Sequence, residues 1–194
     1  MAYWGIAISQ RPNPLAGPFS QDLLRQGWDA IQRARGASQK SDRESAWIEA
    51  MAAFYEGYEK VDQPTRTARY EAAMERLHRT YPDDVEASVF YALAVNEAID
   101  LSDLTYSKQL KAAALLEGLQ PNNPKHPGIP HYIIHSYDYP QLAERGLGAA
   151  ALCAQIAPST AHALHMPSHI FSMRGMWRDV IDADSAADAL LTRQ

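Results

Sequence analysis

Apolar residues recur along this chain at helical spacing, and no stretch alternates as a strand would. Residues 2–9 read as a short helix. Pro12, Pro14 and Gly17–Pro18 mark a loop. Ser20 caps a second helix that carries Leu23, Leu24, Trp28 and Ile31 and ends around Gly36–Ala37–Ser38. Ser41 and Glu44 have the spacing of a capping box, in which each residue satisfies a free backbone N–H of the other. The helix behind them bears Trp47, Met51, Phe54, Tyr55 and Tyr58 on one stripe. Gln63–Pro64–Thr65 opens another helix through Arg79, with Tyr70, Met74 and Leu77 inward and a solvated face rich in Arg and Glu.

Beyond this point the pattern repeats. Tyr81–Pro82–Asp83–Asp84, Gln120–Pro121–Asn122–Asn123 and Ala157–Pro158–Ser159–Thr160 each precede an apolar-striped segment, and their prolines stand 39 and 37 residues apart. A second helix lies in each interval, Thr105 to Leu119 and then Pro140 to Ile156. Two helices per period with proline at the junction predict stacked helical hairpins, because one hairpin cannot bury its apolar face alone. Pro130 and Pro167 each fall nine residues after a junction proline. Proline is tolerated in a first helical turn, where its missing N–H has no partner. Helices are therefore expected to start near Ile129 and Met166. The reading is all-α, one repeat domain over 1–194 of about four to five hairpins, part of a longer chain.

Composition narrows the function classes. The net charge is −5 and the pI near 5.8, with no long Lys/Arg run, which argues against nucleic acid or an anionic membrane as partner. No segment is long and apolar enough for a membrane span. The start of the chain is a poor signal peptide, so a cytoplasmic location is expected, with export open if an upstream segment is missing. Cys153 is the lone cysteine, set in an apolar run, so neither a disulfide within the chain nor a cysteine zinc site is available. Self-association through the apolar Met1–Gln10 end is expected if that end is uncapped.

The words AYWGIAIS, YPDDVEASVFYALA, YSKQLKAAALLEGL, HPGIPHYIIHSYDYPQLAERGL and APSTAHALHMPSHIFSMRGMW cover most of residues 2–181. In them the chain resembles a bacterial family of tetratricopeptide (TPR)-like repeat proteins with HPGxxHYxIH and HALHMPSHIF motifs. The resemblance implies a superhelical array of antiparallel helical hairpins, an α-α solenoid with a concave groove. It implies no activity. The spacing of 37–39 departs from the generic repeat of about 34 residues.

Chemistry concentrates between His126 and His169, which hold six of the seven histidines. His131/His135 and His165/His169 have HxxxH spacing, so each pair shares one helical face. Neighbouring helices pack about 8–10 Å apart, so the two pairs can converge on one ion. Imidazole suits Zn, Cu or Fe; Met166, Met173 and Met176 would tilt the choice toward copper. Asp138 reads as a further ligand or as an acceptor that fixes a histidine tautomer. His126, before Pro127–Gly128, reads as an anchor for the turn. The competing reading is bland: imidazoles satisfying backbone groups left over at proline-broken helix starts.

Other chemistry is poorly supported. Neither HYIIH nor HMPSH carries the glutamate of the H-E-x-x-H word, so that hydrolase class is disfavoured. Ser136 and Ser168 flank histidines without an evident acidic partner. Gly146–Leu147–Gly148 lacks the lysine of a phosphate loop. Asp83/Asp84 and Asp182/Asp184 read as helix-start and surface residues. Most aromatics read as core, with Tyr132 and Tyr137 as exceptions beside the histidines.

The leading expectation is a non-enzymatic scaffold that holds a protein, peptide or small molecule in a groove lined by Tyr132, Tyr137, Asp138 and His162. No catalytic residue is assigned. The alternative is a metal-binding protein or metal-dependent enzyme using His131, His135, His165 and His169. A purely structural stacking module is the third reading.

Overall fold

The computed structural model describes residues 1–192, and no strand occurs among them. The chain forms two compact units, Met1–Asp100 and Leu101 onward. The fold is an all-α, TPR-like array of helical hairpins.

The first unit holds α1 (Ala2–Ser9), α2 (Gln21–Gly36), α3 (Asp42–Tyr55), α4 (Gln63–Thr80) and α5 (Val85–Glu97). Side chains cap these helix starts, at Ser20 and Ser41 as the sequence predicts and at Asp62 as a further cap. Ser20 Oγ accepts from the Leu23 N–H, Ser41 and Glu44 form the reciprocal capping box, and Asp62 accepts from the Thr65 N–H at 2.8 Å. Asp84 caps α5 and also accepts from Arg43 and from the Trp47 indole, tying α3 to the start of α5. Trp4, Trp47 and Phe90 meet edge to face, with ring centroids 5.2–5.7 Å apart, so α1, α3 and α5 share one aromatic core.

A charged pair sits inside this core, and the sequence pattern carried no sign of it. The Arg11 guanidinium bonds the Glu97 carboxylate, and their side chains are only 1% and 2% exposed. Arg11 also lies over the Phe54 ring at 4.1 Å and near Tyr70 at 4.8 Å, which replaces part of its lost hydration.

The second unit holds α6 (Ser107–Leu119), a 3-10 turn at Gln120–Asn122, α7 (Gly128–Tyr137), α8 (Ala143–Ile156), α9 (Ala161–His165), α10 (Pro167–Met173) and α11 (Trp177–Leu191). α6 packs on α7 and α7 on α8, whereas α8 packs chiefly on α10; α11 lies on α9 and α10. Two starts differ from expectation. α6 begins at Ser107 rather than Thr105, because Asp103 takes the Thr105 N–H and both nearby hydroxyls into a turn. α8 begins at Ala143 rather than Pro140, because the Tyr139 carbonyl accepts from Leu142 and Ala143 in a tight turn.

α7 starts at Gly128, one residue before the expected Ile129. α10 starts at Pro167, next to the expected Met166, and the short helix α9 (Ala161–His165) precedes it with a break at Met166. Met166 keeps helical angles across that break, so His165 and His169 stay about one turn apart.

Gly146 of α8 sets how closely these helices approach. A Cβ there would lie 2.6 Å from Ile170 Cδ1 on α10 and 3.3 Å from Tyr137 Cβ on α7. Gly146→Ala is expected to force α10 or α7 outward and to destabilise the second unit by about 1–3 kcal/mol, measured by urea unfolding. Glu97→Ala leaves the Arg11 charge buried without its partner. Its expected effect on the first unit is larger, about 3–5 kcal/mol, measured as a lowered thermal midpoint.

Candidate metal centre

Helix α7 supplies His131, Tyr132 and His135, with Asp138 at its C-terminal end. Helices α9 and α10 supply His162, His165 and His169, and α11 supplies Asp184. All of these are at least partly exposed, so the cluster opens to solvent.

Five imidazoles close into a ring. His131 stands 4.9 Å from His135 between centroids, His135 stands 5.8 Å from His169, and His169 stands 5.0 Å from His165. His165 then lies 6.3 Å from His162, which returns to His131 at 4.9 Å. His131 Nε2 and His135 Nε2 face each other at 3.2 Å. Two nitrogens bound to one tetrahedral ion at 2.0–2.1 Å would be about 3.3 Å apart, so this spacing suits a shared ion. One nitrogen of His162 joins them, all three atoms lying within 4.8 Å of one another. His162 is exposed.

The other two histidines are held by carboxylates. Asp138 Oδ2 accepts from His169 Nδ1 at 2.7 Å, and Asp184 Oδ1 accepts from His165 Nδ1 at 2.8 Å. With Nδ1–H engaged, the neutral ring carries its lone pair on Nε2, as carboxylate-supported metal ligands do. Asp138 Oδ1 is buried and has no hydrogen-bond partner among the described residues.

Electrostatics separates the two sets. Burial, with the neighbouring imidazoles, pushes His131 down to about 3. Burial, followed by the charge of His169, pushes His135 down to about 4. His162 is lowered for the same kinds of reason. His169 moves the other way, raised chiefly by its hydrogen bond to Asp138. His131 and His135 therefore stay neutral at pH 7, the form that binds metal.

The sequence-predicted residues distribute as follows. The pair His131/His135 converges, while His165 and His169 adjoin it around the ring. His162, assigned from sequence to the groove, joins the converging pair. Asp138 is the acceptor on His169. Tyr132 lies 5.0 Å from His131, edge to face. Tyr137 is fully buried away from the imidazoles: its hydroxyl donates to Glu117 at 2.7 Å, and Arg145 lies over its ring at 4.8 Å. His126 Nδ1 accepts from the Gly128 N–H at 3.2 Å, as an anchor of the turn. Met166 is fully buried, while Met173 is exposed.

Asp184 was missed by the sequence reading, which took it for a surface carboxylate. Its partner is 19 residues away on another helix, and no local signal marks such a pair. Ser168, His165 and Asp184 also meet, but they do not make a nucleophilic triad. Ser168 Oγ and Asp184 Oδ1 both address Nδ1 of His165, at 3.3 and 2.8 Å, whereas a triad needs the serine on the opposite nitrogen. Ser136 donates to the Tyr132 carbonyl.

No family model matches the chain, and no curated protein matches it. Two solved structures are similar in fold. The structure described as "MamA MSR-1 C2" superposes with a TM-score of 0.58 at 11% identity, covering 99% of this chain and 94% of that one. The structure described as "MamA AMB-1 P212121" gives 0.56 at 14% identity, covering 97% of this chain and 90% of that one. At this identity the likeness carries the fold alone, a TPR-like helical repeat. No helix among the described residues is long and apolar enough to cross a membrane.

The depressed values of His131 and His135 set a pH dependence for the metal-free protein. In the unfolded chain these rings titrate near 6.5, so below that pH the unfolded state takes up protons that the folded state refuses. Their contribution is whole above about pH 6.5 and is lost as the pH falls toward 4. His169 acts with the opposite sign: its contribution is whole below its unfolded value and fades as the pH rises through its folded one. Urea midpoints measured between pH 7 and pH 4 are expected to fall with pH in the wild type. They should fall less in His131→Ala/His135→Ala, and an unchanged slope in that variant would refute the assignment.

Proposed function

We propose that this chain is a metal-binding helical-repeat protein whose second unit takes up a divalent transition ion through His131, His135 and His162. His165 and His169 adjoin that position, each oriented by its own carboxylate. The observation that carries the reading is the 3.2 Å approach of His131 Nε2 to His135 Nε2, with a third imidazole nitrogen within 4.8 Å. Two neutral imidazoles meeting nitrogen to nitrogen either share one proton or share an ion. Three further imidazoles around the same opening favour the ion. The donor set is nitrogen only, which suits Zn, Cu, Ni or Fe over Mg or Ca.

A second reading has its own support. A TPR-like array of hairpins is an architecture suited to holding a protein or peptide, and a small ligand could use the same surface. Under that reading Tyr132 and the exposed His162 are contact residues, and the chain is a scaffold.

Metal content decides between them. Protein purified without a histidine tag and measured by plasma mass spectrometry is expected to carry at least one metal ion per chain, and His131→Ala/His135→Ala is expected to lose the ion held by His131, His135 and His162. A wild type that arrives metal-free and takes up neither Zn nor Cu on reconstitution overturns the metal reading and leaves the scaffold.

A further inference from the structure

We infer that the imidazole ring of the second unit takes two transition-metal ions, the second held by His165 and His169. This rests on the metal reading above and deepens it.

The size of the ring is the first argument. An ion ligated at 2.0–2.1 Å lies about 3.2 Å from each imidazole centroid, so two rings on one ion stand at most about 6.4 Å apart. Every neighbouring pair in the ring satisfies that limit, from 4.9 Å for His131–His135 to 6.3 Å for His162–His165. The set of three histidine nitrogens close enough for one ion, His131, His135 and His162, leaves out both His165 and His169. One ion therefore accounts for three of the five rings.

The second argument is how the remaining two are held. His165 and His169 have the four-residue spacing that stacks two side chains on one helical face, and Met166 keeps the backbone helical between them. Their rings lie 5.0 Å apart at an interplanar angle of 75°. That separation is near the value of about 5.2 Å expected for two rings on one tetrahedral ion. Each gives its Nδ1–H to a different carboxylate: Asp184 from α11 at 2.8 Å, Asp138 from the end of α7 at 2.7 Å. Both rings are left with Nε2 as the free donor atom. Packing alone does not require two separate helices to bring one carboxylate each to the same pair of rings. Such an acceptor is the usual partner of a metal-ligating histidine, because the outer hydrogen bond fixes the tautomer and strengthens the ligand. Both histidines remain partly exposed, so solvent can complete the coordination of the ion.

The ligand class is an imidazole-preferring divalent ion, and the probe is Zn2+ or Co2+ added alone. Chelator-stripped protein is titrated calorimetrically, and bound metal is counted by plasma mass spectrometry after desalting. Two ions per chain are expected in the wild type. One is expected in His165→Ala/His169→Ala and one in His131→Ala/His135→Ala. Asp184→Asn keeps all five imidazoles and is expected to weaken the second ion about 10–100-fold. Circular dichroism screens each variant for folding. If the alanine pair unfolds, His165→Gln/His169→Gln replaces it with the same expected count. A wild type that binds one ion, or a count unmoved by loss of His165 and His169, overturns the second position and leaves the proposed function standing. A wild type that binds none overturns both.

Discussion

The second unit depends on one close approach. Helix α8 lies so near α10 and α7 that Gly146 has no room for a side chain beside Ile170 and Tyr137. This contact couples the helices that bear the histidines. α7 carries His131 and His135, α10 carries His169, and α8 fixes the distance between them from behind. A five-ring cluster spanning separate helices keeps its spacing only if those helices cannot slide. A backbone-to-side-chain contact without slack enforces that better than a flexible layer of long side chains would.

The two units solve the problem of polar groups inside a fold in opposite ways. In the first, Arg11 and Glu97 are sealed in and neutralise each other among Phe54 and Tyr70. Burial pushes Glu97 up to about 7, and the adjacent guanidinium works against that shift. Arg11 Nε and Glu97 Oε1 stay buried without a hydrogen-bond partner among the described residues. In the second, five imidazoles crowd together near solvent, and two carboxylates bond His165 and His169. Burial keeps His131 and His135 uncharged, which removes the repulsion that would otherwise separate them. Neutral nitrogen donors at this spacing are what the proposed metal site requires.

Much of this was legible beforehand because it depends on local rules. Ser20, the Ser41–Glu44 box and the spacing of Pro82, Pro121 and Pro158 identify helix starts and hairpin junctions from neighbouring residues alone. The HxxxH spacing places His131 over His135 for the same reason. Pro167 opens α10, as its place after Pro158 suggests, because its rule is local. A less local feature was misjudged. Tyr137 looked like a groove residue because it follows the histidines, yet its position on α7 turns it inward to Glu117.

By itself, then, the sequence determined the all-α class, the hairpin period and the concentration of histidines, because periodicity and capping act within a few residues of one chain segment. Only the tertiary structure decided which imidazoles meet. It brought His162 to the converging pair, gave Asp184 to His165 and Asp138 to His169, and buried Arg11 against Glu97. Those partners are separated by 19 to 86 residues, and their meeting is set by how closely helices pack. That distance is a property of side-chain volume at contacts such as Gly146, which no short stretch of sequence encodes.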